Sequence, residues 1–305
     1  MSVDIDAAVA ILRRGGLVAF PTETVYGLGA DARQPSAARR IFTVKARPSE
    51  HPLIVHIADA STMPEWAASV PSSAAALADA FWPGPLTVVV PRHPQVSTVV
   101  TGGRDTIGLR VPSHPMALAL LGAFGGGIAA PSANRFGRVS PTTATHVRDD
   151  LGADVDLVLD GGPCTVGVES TIVDCTVDPP MILRLGGVPV EDVERVLGRA
   201  VQPATGPSRA PGMMASHYAP TCAVELAPMR SAARARCDEL VRTGHQVDVL
   251  DPGPDAVAFA NGLYGWLRSA DDRGLDVLIV IAPPDEGLGA AVNERLRKAS
   301  APRPS

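Results

Sequence analysis

At 305 residues the chain exceeds the usual single-domain size, so two domains are the default expectation, each able to bury a core. Gly and Pro number 29 each, above average usage but short of a low-complexity chain, and they read as structured turns. A net charge of -5 argues against a broad nucleic-acid-type surface and leaves room for a local basic pocket that suits a small anionic ligand.

Ile5, Ala8, Val9 and Leu12 keep helical spacing up to Gly15 and Gly16, after which 17–20 reads as a buried strand. That strand empties into PTETVYGLG (21–29), a hydroxyl- and Gly-rich turn at a strand end, where α/β sheets hold ligands. A second helix begins at Pro35, with Ala37, Ala38, Ile41 and Phe42 on its apolar side, and delivers Lys45 and Arg47 ahead of a strand at 53–57. Lys and Arg two apart can grip phosphate oxygens, although either motif alone would be an ordinary turn or a solvated helix end. His56 lies in the strand pattern, where a satisfied half-buried histidine is the first reading, and Trp82 in FWPGPLT (81–87) reads as packing.

Further strands are expected at 86–90, 106–111, 127–130, 156–159, 170–173 and 182–185, with helices at 74–80 and 116–121. Short Pro/Gly links between several of them predict a mixed α/β sheet rather than a strictly parallel one. Arg110 sits in an otherwise apolar strand, where desolvation calls for an anionic partner, and a bound anion and a protein carboxylate serve equally well. In APSANRFGRVSPT (130–142), Ser140 is placed to cap the next helix, and Ser132, Asn134 and Ser140 could seat phosphate or ribose oxygens. Neither the P-loop nor the dinucleotide fingerprint occurs in the chain.

The segment 160–174 again sets hydroxyls where a loop meets a strand, and Arg184 is another arginine on an apolar strand. Cys164 has no paired histidine and reads as packing, and no Ser/His/Asp order emerges. The four cysteines show neither C-x-x-C nor zinc-like spacing, which predicts a reducing, cytoplasmic setting without metal or disulfides. No run approaches the roughly 20 apolar residues of a membrane span, and no leader pattern is expected at the start. After a helix at 190–197, the Pro/Gly-rich stretch 202–212 marks a linker. Strands at 223–226, 247–250 and 277–281, with helices at 231–241 and 256–268, then predict a small parallel-sheet domain.

Taken in order, PTETVYGLGADA (21–32), KARPSEHPLIVHI (45–57), FWPGPLT (81–87), TIGLRVPSHP (106–115), APSANRFGRVSPT (130–142), DGGPCTVGVESTIVD (160–174) and ILRLGG (182–187) closely resemble the YrdC/Sua5 family, the L-threonylcarbamoyladenylate synthases. SHYAP (216–220) resembles the linker of the two-domain Sua5 type, and 259–300 resembles its C-terminal domain. The resemblance implies a YrdC-like mixed twisted sheet with flanking helices over 1–200, a linker and lid at 201–220, and a shortened, Rossmann-like C-terminal domain at 221–305. It implies that ATP, L-threonine and bicarbonate become threonylcarbamoyl-AMP and pyrophosphate, ahead of tRNA t6A37 modification. Mg2+ would accompany ATP without an assigned protein ligand, a downstream threonylcarbamoyl transferase would be the partner, and tRNA would be met indirectly.

Carried over by position, Tyr26, His56, Arg110, Ala130 and Ser170 would surround threonine, with Arg110 on its carboxylate. Lys45, Arg47, His51, Thr106, Ser132, Ser140 and Arg184 would hold the nucleotide, Lys45 and Arg47 carrying the catalytic charge, and Met214, His217 and Tyr218 would close from the linker. His51 stands where Asn is frequent, Phe136 where Ser is common and Leu185 where Pro is usual. Two other readings are a carbamoyl-phosphate chemistry like that of hydrogenase-maturation relatives, whose acylphosphatase-like and zinc-finger segments this sequence does not contain, and an RNA-binding module of the same fold. The acidic total charge together with Lys45, Arg47 and Arg110 favours catalysis.

Overall fold

The computed structural model describes residues 2–203, 219–253 and 255–301. Helix α1 (Ser2–Arg13) buries Ile5, Ala8, Val9 and Leu12, and Gly15, at φ +81°, turns the chain into the fully buried β1 (Val18–Phe20). β2 (Gly27–Asp31), α2 (Pro35–Lys45), β3 (Ile54–His56), α3 (Ser72–Phe81), β4 (Leu86–Pro91) and the single turn α4 (Thr98–Thr101) follow. Next come β5 (Thr106–Arg110), α5 (Pro115–Phe124), β6 (Ile128–Ala129), α6 (Ala144–Leu151), β7 (Leu157–Val158), β8 (Thr171–Asp174), β9 (Met181–Arg184), α7 (Val190–Leu197) and β10 (Gln202–Pro203).

These strands form one ten-stranded sheet in the order β10-β9-β8-β4-β5-β3-β6-β2-β1-β7. It is mixed, as the short links predict: β3 and β5 run parallel, while β4 is antiparallel to β5 and parallel to β8. Apolar clusters cover it, one built on Leu28, Ile41, Val55, Leu77, Val88 and Leu109, another on Leu12, Phe20, Leu120 and Ile128. Beyond residue 218, β11 (Ala223–Ala227), α8 (Arg230–Arg242), β12 (Val247–Leu250), α9 (Ala256–Asp272), β13 (Val277–Ile281) and α10 (Leu288–Ala299) build a separate parallel sheet, β11-β13-β12. Its α9 and α10 share a core with the first part: Val25, Val139 and Val168 pack with Phe259, Leu263, Tyr264 and Leu296.

Three local expectations change, the first at Gln202 and Pro203, which open the expected linker but pair with Met181 and Ile182 as a strand of the large sheet. Residues 27–31 are a strand rather than part of a turn, pairing with β1 and β6. The close fit explains the glycines, because a Cβ at Gly29 would come within 2.8 Å of Ile128 and 2.9 Å of Phe20. Ser140 does not cap α6; Thr143 does, its side chain accepting from the His146 amide at 3.3 Å, because the Ser140 hydroxyl is committed to a buried carboxylate. No described helix is long and apolar enough to cross a membrane.

Candidate active site

Three strands end in a histidine or an arginine that borders one cleft. β3 ends at His56, β5 at Arg110 and β9 at Arg184, while β8 begins one residue after Ser170. His56 and Arg110 are register partners on parallel neighbours. All four border one cleft whose wall also takes in Thr22, Thr24, Arg47, Ala130, Ser132 and Glu169.

Arg110 finds its anion within the protein. Its Nη2 lies 2.7 Å from Glu23 Oε1 and its Nε donates to the Gly84 carbonyl at 3.2 Å, while the Ser113 amide donates to Glu23 Oε2 at 3.0 Å. Of the two alternatives that the sequence leaves open, the carboxylate is the one present, with the pair only 5% and 6% exposed. These bonds use Nε and Nη2, so Nη1 is the donor that a ligand could reach. His56 is buried, and burial followed by the Arg110 charge pushes its pKa down to about 3 against the pull of the Ile128 and Ile54 backbone. The imidazole is therefore neutral, and its Nδ1 has no hydrogen-bond partner among the described residues.

Arg184 wraps the start of β8, with Nε and Nη2 3.0 and 2.9 Å from the Ser170 carbonyl and Nη2 3.0 Å from Ser170 Oγ, which also pairs with Thr87 Oγ1 at 2.8 Å. Glu169 beside it is buried yet ionised. Burial raises its pKa, but Arg295 and Arg184, with hydrogen bonds from Ser140 and Tyr264, overcome this and hold it at about 2. Arg47 lies on the cleft wall, its Nη2 donating to the Pro52 carbonyl at 3.3 Å and its guanidinium carbon 5.7 Å from the Phe136 ring centre. Phe136 in turn lies 5.6 Å from the His51 ring, so two of the positions that depart from the family pattern touch each other.

Other expected contacts stand off the cleft wall. Lys45 is fully buried at the end of α2, where Ala46 adopts φ +52° and turns the chain before Arg47. Its ammonium donates to the carbonyls of Ser132, at 2.6 Å, and Asn134, and burial together with Arg47 pulls its pKa well below the ordinary lysine value. The Tyr26 hydroxyl donates to the Gly162 carbonyl at 2.7 Å and accepts from the Gly161 amide at 3.2 Å; burial raises its pKa to about 12. Ser140 donates to Glu169 at 2.7 Å, His51 is half-buried beside Phe136, and Thr106 opens β5 opposite Pro91. Met214, His217 and Tyr218 lie outside the described residues.

The sequence gives Glu169, Tyr264 and Arg295 no role, and Glu23 reads there only as part of an ordinary turn. A signal existed for both acids: the desolvation argument applied to Arg110 applies equally to a carboxylate among buried neighbours. Arg295 shares a helix face with Val292, Leu296 and Ala299, an apolar stripe in which a guanidinium is out of place. Among the described residues no group of three His, Cys, Asp or Glu could hold a metal ion.

A sheet of this order, with strand-end arginines around a cleft, defines a YrdC-like α/β protein, and comparison with known proteins agrees. Residues 10–186 match the Sua5/YciO/YrdC family profile, described as telomere recombination, and residues 188–301 match the threonylcarbamoyl-AMP synthase C-terminal domain. The chain is 42% identical to the threonylcarbamoyl-AMP synthase of Pyrococcus abyssi, over 97% of this chain and 94% of that protein, and 40% identical to the one from Bacillus subtilis, over 98% and 93%. The crystal structure of P. abyssi Sua5 complexed with L-threonine superposes with a TM-score of 0.92 at 41% identity, over 97% of this chain and 94% of that one. The chain belongs to the Sua5/YciO/YrdC family, in its two-domain Sua5 form.

Proposed function

We propose that the cleft joins L-threonine, bicarbonate and ATP into threonylcarbamoyl-AMP with release of pyrophosphate, the step that feeds N6-threonylcarbamoylation of adenosine 37 in tRNA. The observation that carries this reading is the cleft wall, which brings Arg110, His56, Ala130 and Ser170 together with Arg47, Ser132 and Arg184. The likeness over nearly the whole chain to a protein solved with L-threonine supports it. On this reading Arg110 Nη1 meets the amino-acid carboxylate while Glu23 holds the guanidinium in place. Neutral His56, the register partner of Arg110, has an Nδ1 with no hydrogen-bond partner among the described residues.

The threonine amine attacks the bicarbonate carbon, and a C–O bond breaks with loss of water to give a carbamate, whose oxygen attacks the α-phosphorus as the bond to the β-phosphate oxygen breaks and pyrophosphate leaves. Alignment and charge neutralisation carry such a transfer, so no protein nucleophile is required. Cys164 is unsuited to the part, since burial pushes its thiol up to about 12. Arg47 would neutralise phosphate charge directly, whereas Lys45 would act on the nucleotide side through the loop that carries Ser132. His51 would flank Arg47 by way of Phe136, Ser140 would reach the nucleotide from Glu169, Tyr26 would anchor Gly161 and Gly162, and Thr106 would contribute from the start of β5.

Glu169, on the cleft wall, is spent on Arg295, Tyr264 and Ser140, and Glu23 is spent on Arg110, so the donor set does not suit a protein-built Mg2+ cage. Mg2+ would enter on the ATP phosphates. Met214, His217 and Tyr218 would close over the cleft from a linker at 201–220, between a catalytic domain at 1–200 and a C-terminal domain at 221–305. The product would pass to a threonylcarbamoyl transferase in the cytoplasm, with tRNA met by that partner.

The test is pyrophosphate release with labelled threonine, bicarbonate and ATP, omitting each in turn. Release of pyrophosphate and formation of the mixed anhydride should need all three. Salt-sensitive RNA binding without threonine-dependent pyrophosphate release would replace this reading with the RNA-binding one.

A further inference from the structure

The C-terminal domain reaches the cleft through one carboxylate. Glu169 Oε1 accepts from Ser140 Oγ at 2.7 Å, and the Tyr264 hydroxyl stands 2.9 and 2.8 Å from its two oxygens. Arg295 Nε donates to Oε2 at 2.9 Å. Ser140 and Glu169 belong to the large-sheet part, whereas Tyr264 lies on α9 and Arg295 on α10. Arg295 is completely buried, and its second branch donates from Nη2 to the Leu185 carbonyl at 2.8 Å. A single guanidinium thus ties the residue before Ser170 to the residue after Arg184, and both of those groups border the cleft.

The strands are pinched together at that point. The Gly187 amide donates to the Glu169 carbonyl at 2.9 Å, and a Cβ on Gly186 would fall 2.3 Å from the same oxygen. The loop leading to Glu169 is gripped from the same side: Asn261 Nδ2 donates to the Cys164 and Thr165 carbonyls at 3.0 and 2.9 Å. Gly167, at φ +81°, lies so close to α9 that a Cβ would sit 2.4 Å from the Ala260 carbonyl. Burying a charge cluster is costly unless its geometry is enforced, and enforced geometry is what a site built for alignment needs.

We propose that Tyr264 and Arg295 are positioning residues of the substrate cleft, acting through Glu169 to fix Ser140, Ser170 and Arg184, so that the C-terminal domain is part of the site. The proposal rests on the functional reading above for its kinetic readout and on geometry for its binding readout. On that functional reading Ser140 and Arg184 hold the nucleotide, so ATP is the substrate that should feel the loss. Ser140 also spends its only proton on Glu169, which leaves its oxygen to accept from a ligand rather than to donate.

The test uses the full chain with Tyr264→Phe, Glu169→Gln, the double variant and Arg295→Lys. Tyr264→Phe keeps the ring in its core and removes only the hydroxyl. The expected result is an apparent KM for ATP raised about tenfold with kcat within about twofold, as loss of one charge-assisted hydrogen bond implies. Action through Glu169 further requires that Tyr264→Phe add less than about twofold on top of Glu169→Gln. Arg295→Lys, which keeps the charge but loses the fork, should shift KM in the same direction. Unchanged KM with a lowered Tm, or additive effects in the double variant, would make the cluster structural glue and overturn the proposal. Calorimetric binding of a non-hydrolysable ATP analogue separates the two readings: wild type that binds it without turning over threonine sinks the reaction, whereas equal affinity in wild type and Tyr264→Phe sinks the positioning role.

Discussion

Burial and the Arg110 guanidinium keep the His56 imidazole neutral down to a pKa of about 3, against 6.5 for an ordinary histidine. The unfolded chain therefore takes up a proton near pH 6.5 that the folded chain refuses, so stability is whole above that pH and drains as pH falls toward 3. The slope is roughly 1 kcal/mol per pH unit for one such group. His51 and His146 are shifted in the same direction, so the variant His56→Gln isolates the term: thermal unfolding between pH 6.5 and 5 should lose much of its pH dependence. Glu169, held at about 2 against 4.5, adds its own loss only below pH 4.5. Lys45→Met keeps the buried stem and removes the ammonium that holds the Ser132 and Asn134 carbonyls. Pyrophosphate release is expected to fall about tenfold or more, with the far-UV circular dichroism unchanged. Arg110 and Arg184 were legible in the sequence because a charge in an apolar strand demands an explanation. Their protein partners were not, since Glu23 lies 87 positions from Arg110 and nothing local announces the pairing.

At the level of elements, hydrophobic runs fixed most strands and helices to within a residue or two, because burial on a sheet leaves an unbroken apolar signature. One exception is α10, for which no helix is read from the sequence, and another is β2, where Gly27 and Gly29 read as turn residues although they make room for Ala130, Phe20 and Ile128. A contact made across a sheet leaves no trace in local composition. Gly29→Ala should accordingly lower stability by about 1–3 kcal/mol in chemical denaturation, an overpacking cost. At the end of α2, Ala46 holds a left-handed conformation, the one non-glycine residue with positive φ among those described. Ala46→Gly should raise Tm, gaining up to about 1 kcal/mol from relieved strain less the entropy of a freer unfolded chain. The same geometry explains why Lys45 and Arg47, two apart, do different jobs: the turn between them sends one ammonium to a loop and leaves the other cation on the cleft wall.

For the molecule as a whole, the two sheets share an apolar cluster and a buried ion pair, so they should not melt apart. Differential scanning calorimetry is expected to give one transition, with calorimetric and van't Hoff enthalpies agreeing; two resolved peaks would refute this coupling. The sequence rhythm foretold the second sheet, but not how intimately it docks, because the docking residues are scattered over Val25, Val139, Val168, Tyr264 and Leu296. Glu169 answers to a serine, a phenol and a guanidinium drawn from both sides of that seam. Chimeras therefore face a rule. Grafting the tail of a relative onto this chain's front portion will yield a working catalyst only if the donor brings a hydroxyl and a forked cation to the same two points, since seam and pocket share one carboxylate and cannot drift independently.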